Sequence, residues 1–400
     1  MKVLLVHNYY GSEAPSGENQ VFDSETALLR RHGYDIRTYT RHSDEIRRRG
    51  AWGMVVGGAA TPWNPFSARV LRSIVDEWRP DVVHVHNTFP LISPAVFYAI
   101  APRSARVLTL HNFRLCCPAG IPLRDDQPCT DCFSGSVVPA LRHACYRKSR
   151  VATIPLAVSV ALHRALGTWR KQVEAFVALT EFQKSLMIRA GLPAGRVFVK
   201  PNSCAEPSKI FPYDQRADRI VFVGRLAPEK GIGDLITAWL AWGPAAPELR
   251  IIGGGPLRAS LEHRTRSAAA RNVRFLGHLP AADALAEIGN ARLLVVPSIC
   301  YEGFPMVIAE AFARATPVAV SDAGPLPHIV TDRGAGVTFR AGDPASLLRQ
   351  VRRVRDDDAC GGLSVAARVA FETSCSESAS FTTLERIYTG AVQNRVGPAA

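Results

Sequence analysis

Two glutamates stand eight positions apart in the stretch YEGFPMVIAE, Glu302 and Glu310, with a glycine and a proline between them. Proline has a fixed φ and no amide hydrogen, so Pro305 suits a helix start. Glu302 then lies in the loop before the helix, and Glu310 lies about a turn and a half inside it. A carboxylate only accepts hydrogen bonds, and it can take two hydroxyls at once. Two carboxylates at staggered depths can therefore hold two different sets of sugar hydroxyls. Each also has an ordinary explanation: a Glu before a helix complements its dipole, and a Glu within one faces water. Here Ile308, Ala309, Ala311 and Phe312 flank Glu310, so the helix reads as buried. A glutamate there needs a partner or a ligand. Paired carboxylates also serve glycoside hydrolysis, but those acids usually come from separate strands. These two share one strand-loop-helix unit.

Upstream, VGRLAPEKG (223–231) places Arg225 just after a strand and Lys230 just before Gly231 opens a helix. A strand end, two cations and a helix N-terminus suit a diphosphate. IIGGGPLRASLE (251–262) puts three glycines between a strand and a helix, where a backbone can approach a ligand or simply turn tightly. VRFLGHL ends a strand at Gly277 and exposes backbone groups that can pair with a base edge.

These residues must be held by sheets. KVLLVHN (2–8), DIRTYTR, DVVHVHN (81–87), RVLTLHN (106–112) and AFVALT (175–180) read as strands. The segments VFDSETALLRRHG and PFSARVLRSIVDEW read as helices between them. After the Pro-rich linker PNSCAEPSKIFPYDQRAD the pattern restarts with RIVFVG, ELRIIG, VRFLG, RLLVVPS and PVAVSD. The segments GIGDLITAWLAW and PLRASLEHRTRSA read as its helices. SFTTLERIYTGAV reads as a closing helix, with a small polar tail after Gln393. Alternating strands and helices give parallel sheets. The expectation is an α/β chain of two doubly wound, Rossmann-like domains facing a central cleft, with ligands at the carboxyl ends of the strands. Residues 1–205 are expected to form the first domain, carrying a Cys-rich loop at 115–147. Residues 206–380 are expected to form the second, and 381–400 a closing helix and tail.

In this order, GRLAPEKG, GGGP, FLG and E-x7-E, the chain resembles the retaining GT-B glycosyltransferases of family 4, also called group 1. The resemblance implies that Arg225 and Lys230 bind the donor diphosphate, Glu302 contacts the donor sugar and Glu310 accepts from the ribose hydroxyls. It places the Leu276–Gly277 backbone near the base and Gly254 in the donor site. It sets His111 near the donor sugar, against the plain alternative of a packed or capping histidine. The loop GSEAPSGENQ then points Gly17 at the phosphates, with SGEN where a double glycine is common. His328 in SDAGPLPHIV stands where the family commonly has glutamate. The implied reaction moves a sugar from a UDP-, GDP- or ADP-sugar to an acceptor hydroxyl with retained configuration, in surface polysaccharide or glycolipid synthesis. The cations stand in for a divalent metal, so no catalytic cofactor is expected. Rival readings are a non-catalytic nucleotide-sugar-binding or zinc-loop interaction protein, or a GT-B epimerase.

Charge and cysteines add two features. Residues 1–200 hold 26 Lys and Arg against 15 Asp and Glu, and residues 201–400 hold 22 against 20. Such an excess is either a solvated surface or a face for something anionic. Without a nucleic-acid motif, the anion is expected to be a membrane surface or a phosphate, with a saccharide or lipid-linked acceptor. The first residues do not form a signal peptide, and no apolar run reaches spanning length, so the expected location is cytoplasmic, peripheral at the inner face of the membrane. The apolar run 150–172, broken by Pro155, reads as a core helix or as an interfacial one. Cys129-x-x-Cys132 has metal-knuckle spacing. Cys117 (or Cys116) and Cys145 can complete a four-thiolate set for a structural zinc, with His143 as a substitute ligand and unligated thiols as the alternative.

Overall fold

The computed structural model describes residues 1–12, 16–356 and 360–395. Residues 13–15, inside the GSEAPSGENQ loop, and the last part of the polar tail lie outside that range.

The chain divides into two compact units. The first comprises Met1–Pro122, Cys129–Pro201 and the chain from Ser380 onward; the second comprises Leu123–Pro128 and Asn202–Ala379. The hairpin at 123–128, assigned from sequence to the amino-terminal domain, groups instead with the second unit. So does the linker from Asn202.

In the first unit β1 (Lys2–Tyr9), β2 (Asp35–His42), β3 (Val82–Asn87) and β4 (Ala105–Thr109) build most of one sheet. The strands β5 (Leu123–Arg124) and β6 (Gln127–Pro128) form the small hairpin, and β7 (Ala175–Ala178) and β8 (Val197–Val199) complete the sheet. Its order is β2-β1-β3-β4-β7-β8, all parallel. Parallel strands are covered on both faces, so they read as continuous apolar runs. Val3, Leu4, Leu5 and Val6 have no exposed surface. Helix starts follow local chemistry. Ser16 caps the helix Gly17–Arg31 by accepting from the Glu18 amide at 3.3 Å, and Gly33 at φ +77° follows its end. Asn64 Oδ1 accepts from the amides of Phe66 and Ser67 ahead of the helix Pro65–Trp78. The last helix, Glu377–Arg395, buries Leu384, Ile387, Tyr388 and Ala391 in this unit's core beside Val3, Leu5 and Val82.

In the second unit β9 (Ala217–Val223), β10 (Glu248–Ile252), β11 (Val273–Gly277), β12 (Ala291–Val296), β13 (Val318–Ser321) and β14 (Gly336–Phe339) form the other sheet. Its order is β11-β10-β9-β12-β13-β14. Numbered within the unit this is the 3-2-1-4-5-6 arrangement of the Rossmann fold, and the first sheet has the flavodoxin-like order about its β1/β3 junction. Strand order reverses between β9 and β12. In open α/β sheets, ligands bind at the loops that leave the carboxyl ends of the two strands at such a switch point. The core beneath is built from Ile232, Leu235, Ile236 and Trp239 of the helix Ile232–Trp242 against Ile220, Phe222, Leu249 and Leu293.

Candidate active site

The loops after β9 and β12 meet. Beyond β9 a single turn, Pro228–Lys230, precedes Gly231 at φ +65°, which starts the helix Ile232–Trp242. A Cβ at Gly231 would stand 1.8 Å from the Pro297 carbonyl oxygen, so only glycine lets these loops approach. The Ile299 amide donates to the Glu229 carbonyl at 3.0 Å and fixes the pairing. In that setting the Lys230 ammonium donates to Glu302 Oε1 at 2.6 Å, and Ser298 Oγ donates to the same oxygen at 2.7 Å. Burial alone would raise the Glu302 carboxyl, but the Lys230 charge and these two hydrogen bonds outweigh it and hold it below its usual range. Burial likewise opposes the charge on Lys230, and Glu302 more than compensates. Glu302 Oε2 has no partner among the described residues, so it is available to a substrate hydroxyl.

Arg225 is only partly in place. Its guanidinium contacts the Glu229 carboxylate one turn away and remains more than half exposed. Its charge still helps to lower the Glu302 carboxyl. The fork expected to be free for a diphosphate is thus engaged in this structure.

The helix after Pro305 runs Met306–Ala313, as the proline implied. Ile308, Ala309, Ala311 and Phe312 are fully buried. Glu310 is half-buried between them and its carboxylate accepts no hydrogen bond from the described residues. Burial pushes its pKa up, and only the Arg314 charge works against that. Glu310 lies by Arg314 and Cys204 rather than in the Lys230–Glu302 pair. Of the four residues expected to converge, Lys230 and Glu302 touch, Arg225 acts on them through its charge, and Glu310 stands apart as an unsatisfied acceptor.

The glycine turn packs loops together. A Cβ on Gly253 would meet the Gly224 carbonyl at 2.1 Å, and one on Gly255 the Leu226 carbonyl at 2.5 Å. The Leu226 amide donates to Gly254 at 2.8 Å, and the Gly253 amide to Gly277 at 2.7 Å. Gly254 backs onto the His278 imidazole, whose Nε2 would lie 2.6 Å from its Cβ. The Gly277 carbonyl expected near a base is therefore taken by Gly253; Leu276, half-buried, is at the same strand end. His328 is exposed and pairs with Asp332 at 2.7 Å.

In the first unit His111 sits two residues past β4, with its Nε2 3.0 Å from His86 Nδ1. Burial, then the neighbouring His86 and His7, keeps its pKa well below the usual value, so the ring is neutral. The neighbouring Asn112 donates to Glu18 at 2.8 Å, which ties this strand end to the helix beginning at Gly17. Gly17 is exposed in the first turn of that helix.

Sequence reading missed the network beneath His111. Glu25 is buried with Lys200 Nζ at 2.9 Å and with His84 Nδ1 and His86 Nε2 each at 3.2 Å. His84 also bonds Tyr388 and Thr109, each at 2.7 Å. The signal was present in DVVHVHN, where two histidines interrupt a fully buried strand. Glu25, His84 and His86 form the group with metal-ligand spacing among the described residues, but the Lys200 ammonium already neutralises the carboxylate.

The four cysteines do not form the expected cage. No three of Cys117, Cys129, Cys132 and Cys145 bring their sulfurs within 4.8 Å of one another among the described residues. Cys117 turns back onto the Ile121 carbonyl at 3.7 Å within its own loop, and Cys132 is buried beside Phe133. Burial raises the Cys117 thiol to about 11.

A doubly wound pair of parallel sheets with a Lys–Glu pair at the β9/β12 switch point defines the class as a GT-B type glycosyltransferase fold. The chain belongs to the family 4, group 1 glycosyltransferases: residues 16–204 match the model "Glycosyltransferase Family 4" and residues 217–357 the model "Glycosyl transferases group 1". It is 29% identical over 293 residues to a glycogen synthase of Mycobacterium tuberculosis, covering 70% of this chain and 62% of that protein. It is 26% identical over 220 residues to the phosphatidyl-myo-inositol mannosyltransferase of Mycobacterium leprae, covering 51% and 55%. The chain thus spans less than two thirds of these relatives. An Anabaena protein, HepE, solved in complex with UDP-glucose, shares the fold with a TM-score of 0.63 at 16% identity over 97% of this chain and all of that one. No described helix is long and apolar enough to cross a membrane.

Proposed function

We propose that this protein transfers a sugar from a nucleotide-sugar donor to an acceptor hydroxyl with retained anomeric configuration. The observation that carries the reading is the Lys230–Glu302 pair, 2.6 Å apart at the sheet's switch point and at the start of the helix Ile232–Trp242. The departing group of a nucleotide sugar is a diphosphate whose charge grows as the glycosidic bond breaks. Fixed positive groups aimed at growing charge are a large catalytic term. Lys230 uses one of its three N–H bonds on Glu302 and keeps the others for phosphate oxygens. Arg225 joins it by exchanging Glu229 for the ligand. The amide end of the helix adds a fixed dipole of the same sign.

Glu302, held ionised by Lys230 and Ser298, is committed as an acceptor through Oε1 and offers Oε2 to the donor sugar. Tied in this way it suits orientation rather than covalent attack, which supports front-face transfer. Glu310 in this reading takes the ribose hydroxyls. Satisfying an otherwise unpartnered, half-buried carboxylate is what a diol does well. His111, neutral and half-buried, keeps the role toward the donor sugar that the resemblance implies. The UDP-glucose in the HepE complex makes uridine diphosphate sugars the first donors to screen, before GDP- and ADP-sugars. The mannosyltransferase relative makes a lipid-linked acceptor the first to try.

The test is release of nucleoside diphosphate with and without acceptor. Acceptor-dependent release by the wild-type chain is the expected result. Donor binding with no release under any acceptor would leave a binding protein and overturn the reading.

A further inference from the structure

The first unit carries an outward surface that its own packing does not use. The helix Gly50–Ala60, GAWGMVVGGAA, has no charged residue and buries only Gly53 and Gly57. Its glycine face lies so close on Ile46 that a Cβ at Gly57 would stand 2.5 Å from Ile46 Cδ1. The large side chains point the other way: Trp52 is 68%, Met54 63% and Val55 62% exposed. A helix apolar on every side belongs inside a protein or at a lipid surface.

A second helix, Arg150–Ala165, runs beside it. A Cβ on Gly58 would lie 3.4 Å from Pro155 Cγ, Ser159 Oγ reaches the Thr61 carbonyl at 3.5 Å, and His163 reaches the Pro62 carbonyl at 2.8 Å. These contacts rise together along both segments, so the helices run parallel with their starts at the same end. Its buried residues, among them Thr153, Leu156 and Val160, face the core. Val151, Ile154 and Val158, spaced i, i+3, i+7, form an exposed apolar stripe, Val151 at 77%. A cavity of about 430 Å³, lined by Val56, Ala60, Trp63 and the largely exposed Phe66, joins the first helix to the start of Pro65–Trp78.

Apart from Glu45, which lines that cavity paired with Arg41, charge around this surface is positive. No Asp or Glu occurs between Glu45 and Asp76 or between Asp131 and Glu174. The exposed residues Arg48, Arg69, Arg72, Arg142, Lys148 and Arg150 make no salt bridge among the described residues. Arg48 precedes the first helix, and Lys148 and Arg150 open the second, so parallel packing gathers these cations at one end of the apolar stripes. A contiguous apolar surface of this kind on a folded unit marks something that covers it. An anionic bilayer offers both complements at once, headgroups for the cations and acyl chains for the Trp52 and Val151 stripes.

We infer that the paired helices Gly50–Ala60 and Arg150–Ala165 dock the first unit on an anionic lipid bilayer. This goes beyond the transfer reading and does not depend on it. The test is cosedimentation of the full chain with phosphatidylcholine vesicles and with vesicles that also contain phosphatidylglycerol, at low and high salt. The expected result is binding to the phosphatidylglycerol vesicles, weakened by salt. The double variant Trp52→Ser, Val55→Ser should weaken it roughly tenfold or more, and Arg48→Glu with Arg150→Glu should abolish the anionic preference. All four positions are exposed, so both variants should melt with the wild type and release nucleoside diphosphate at its rate on a soluble acceptor. Equal binding to both vesicles, no binding, or unchanged binding by the variants would overturn the inference. So would a wild-type dimer that the Trp52 variant dissolves without any vesicle binding, which would assign the surface to a second copy of the chain.

Discussion

Lys230 and Glu302 leave different strands of the second sheet, β9 and β12, yet their side chains meet at 2.6 Å. The pair joins two loops and sets a cation and a carboxylate at the switch point of the sheet, where ligands of open α/β folds bind. Each is needed by the other, because each is largely withdrawn from water.

Lys230→Ala tests the catalytic share of that pair. It removes the fixed charge from the leaving group, so turnover should fall about 10²- to 10³-fold. It also leaves Glu302 without its cation, at a cost of roughly 1–2 kcal/mol given that Lys230 is partly exposed. Initial rates of diphosphate release, with far-UV circular dichroism as a check on the fold, measure it. Unchanged rates in a folded variant would remove Lys230 from the mechanism.

Glu310→Gln should separate binding from stability. The carboxylate has no hydrogen bond from the described residues to lose, only the Arg314 charge nearby, and burial already raises its pKa. The neutral amide should therefore leave the melting temperature unchanged or slightly higher. Donor affinity should drop about tenfold, since an amide replaces one of the acceptor oxygens for a ribose diol. Isothermal titration with the nucleoside diphosphate checks this. A large loss of stability with unchanged affinity would mark Glu310 as structural.

Gly231→Ala should be damaging without touching any ligand-binding side chain. The residue has φ +65°, and the new methyl would lie 1.8 Å from the Pro297 oxygen. The loops must part, at a cost of about 2 kcal/mol or more, and Lys230 moves with them. Denaturant midpoints and turnover should fall together. Gly233→Ala is the control: nothing lies within 4 Å of a Cβ there, and it sits inside the same helix.

Much of this was legible in the chain because buried parallel strands and capped helices are local signals. PFSARVLRSIVDEW is the helix Pro65–Trp78 residue for residue, with Asn64 and Pro65 setting its start. Glu302 and Lys230 were legible because a loop before a helix restricts what a charged residue is for. Other features depend on how the chain closes in three dimensions, near or far. Arg225 sits on Glu229, which only the turn's geometry decides. The four cysteines share a spacing but not a centre, since Cys117 folds back on its own loop. The return of the last helix into the first unit, and with it the Tyr388–His84 bond, joins residues 304 positions apart. Glu25 is one polar residue of the helix Gly17–Arg31, and its role appears only when Lys200 and two strand histidines close around it.

That buried cluster makes the last prediction. Burial lowers His86 from 6.5 to about 4, helped by the His84 charge and opposed by Glu25. It lowers His7 to about 4 as well, with the Asn19 hydrogen bond opposing. His111 moves in the same direction. Between about pH 6.5 and 4 the unfolded chain takes up protons that the folded chain refuses. Stability is therefore fully present above that window and falls as pH drops through it, by up to about 1.4 kcal/mol per pH unit for each histidine. Glu25, held well below its ordinary range, adds a loss of the same sign only under its unfolded pKa near 4.5. Denaturant unfolding measured from pH 7 to pH 5 should thus show a steep decline before the Glu25 contribution begins. His7→Gln, which keeps a side chain able to meet Asn19, should flatten the decline by about one proton, ~1.4 kcal/mol per pH unit. A flat wild-type profile over that range would mean that these histidines ionise as freely in the folded chain as in the unfolded one.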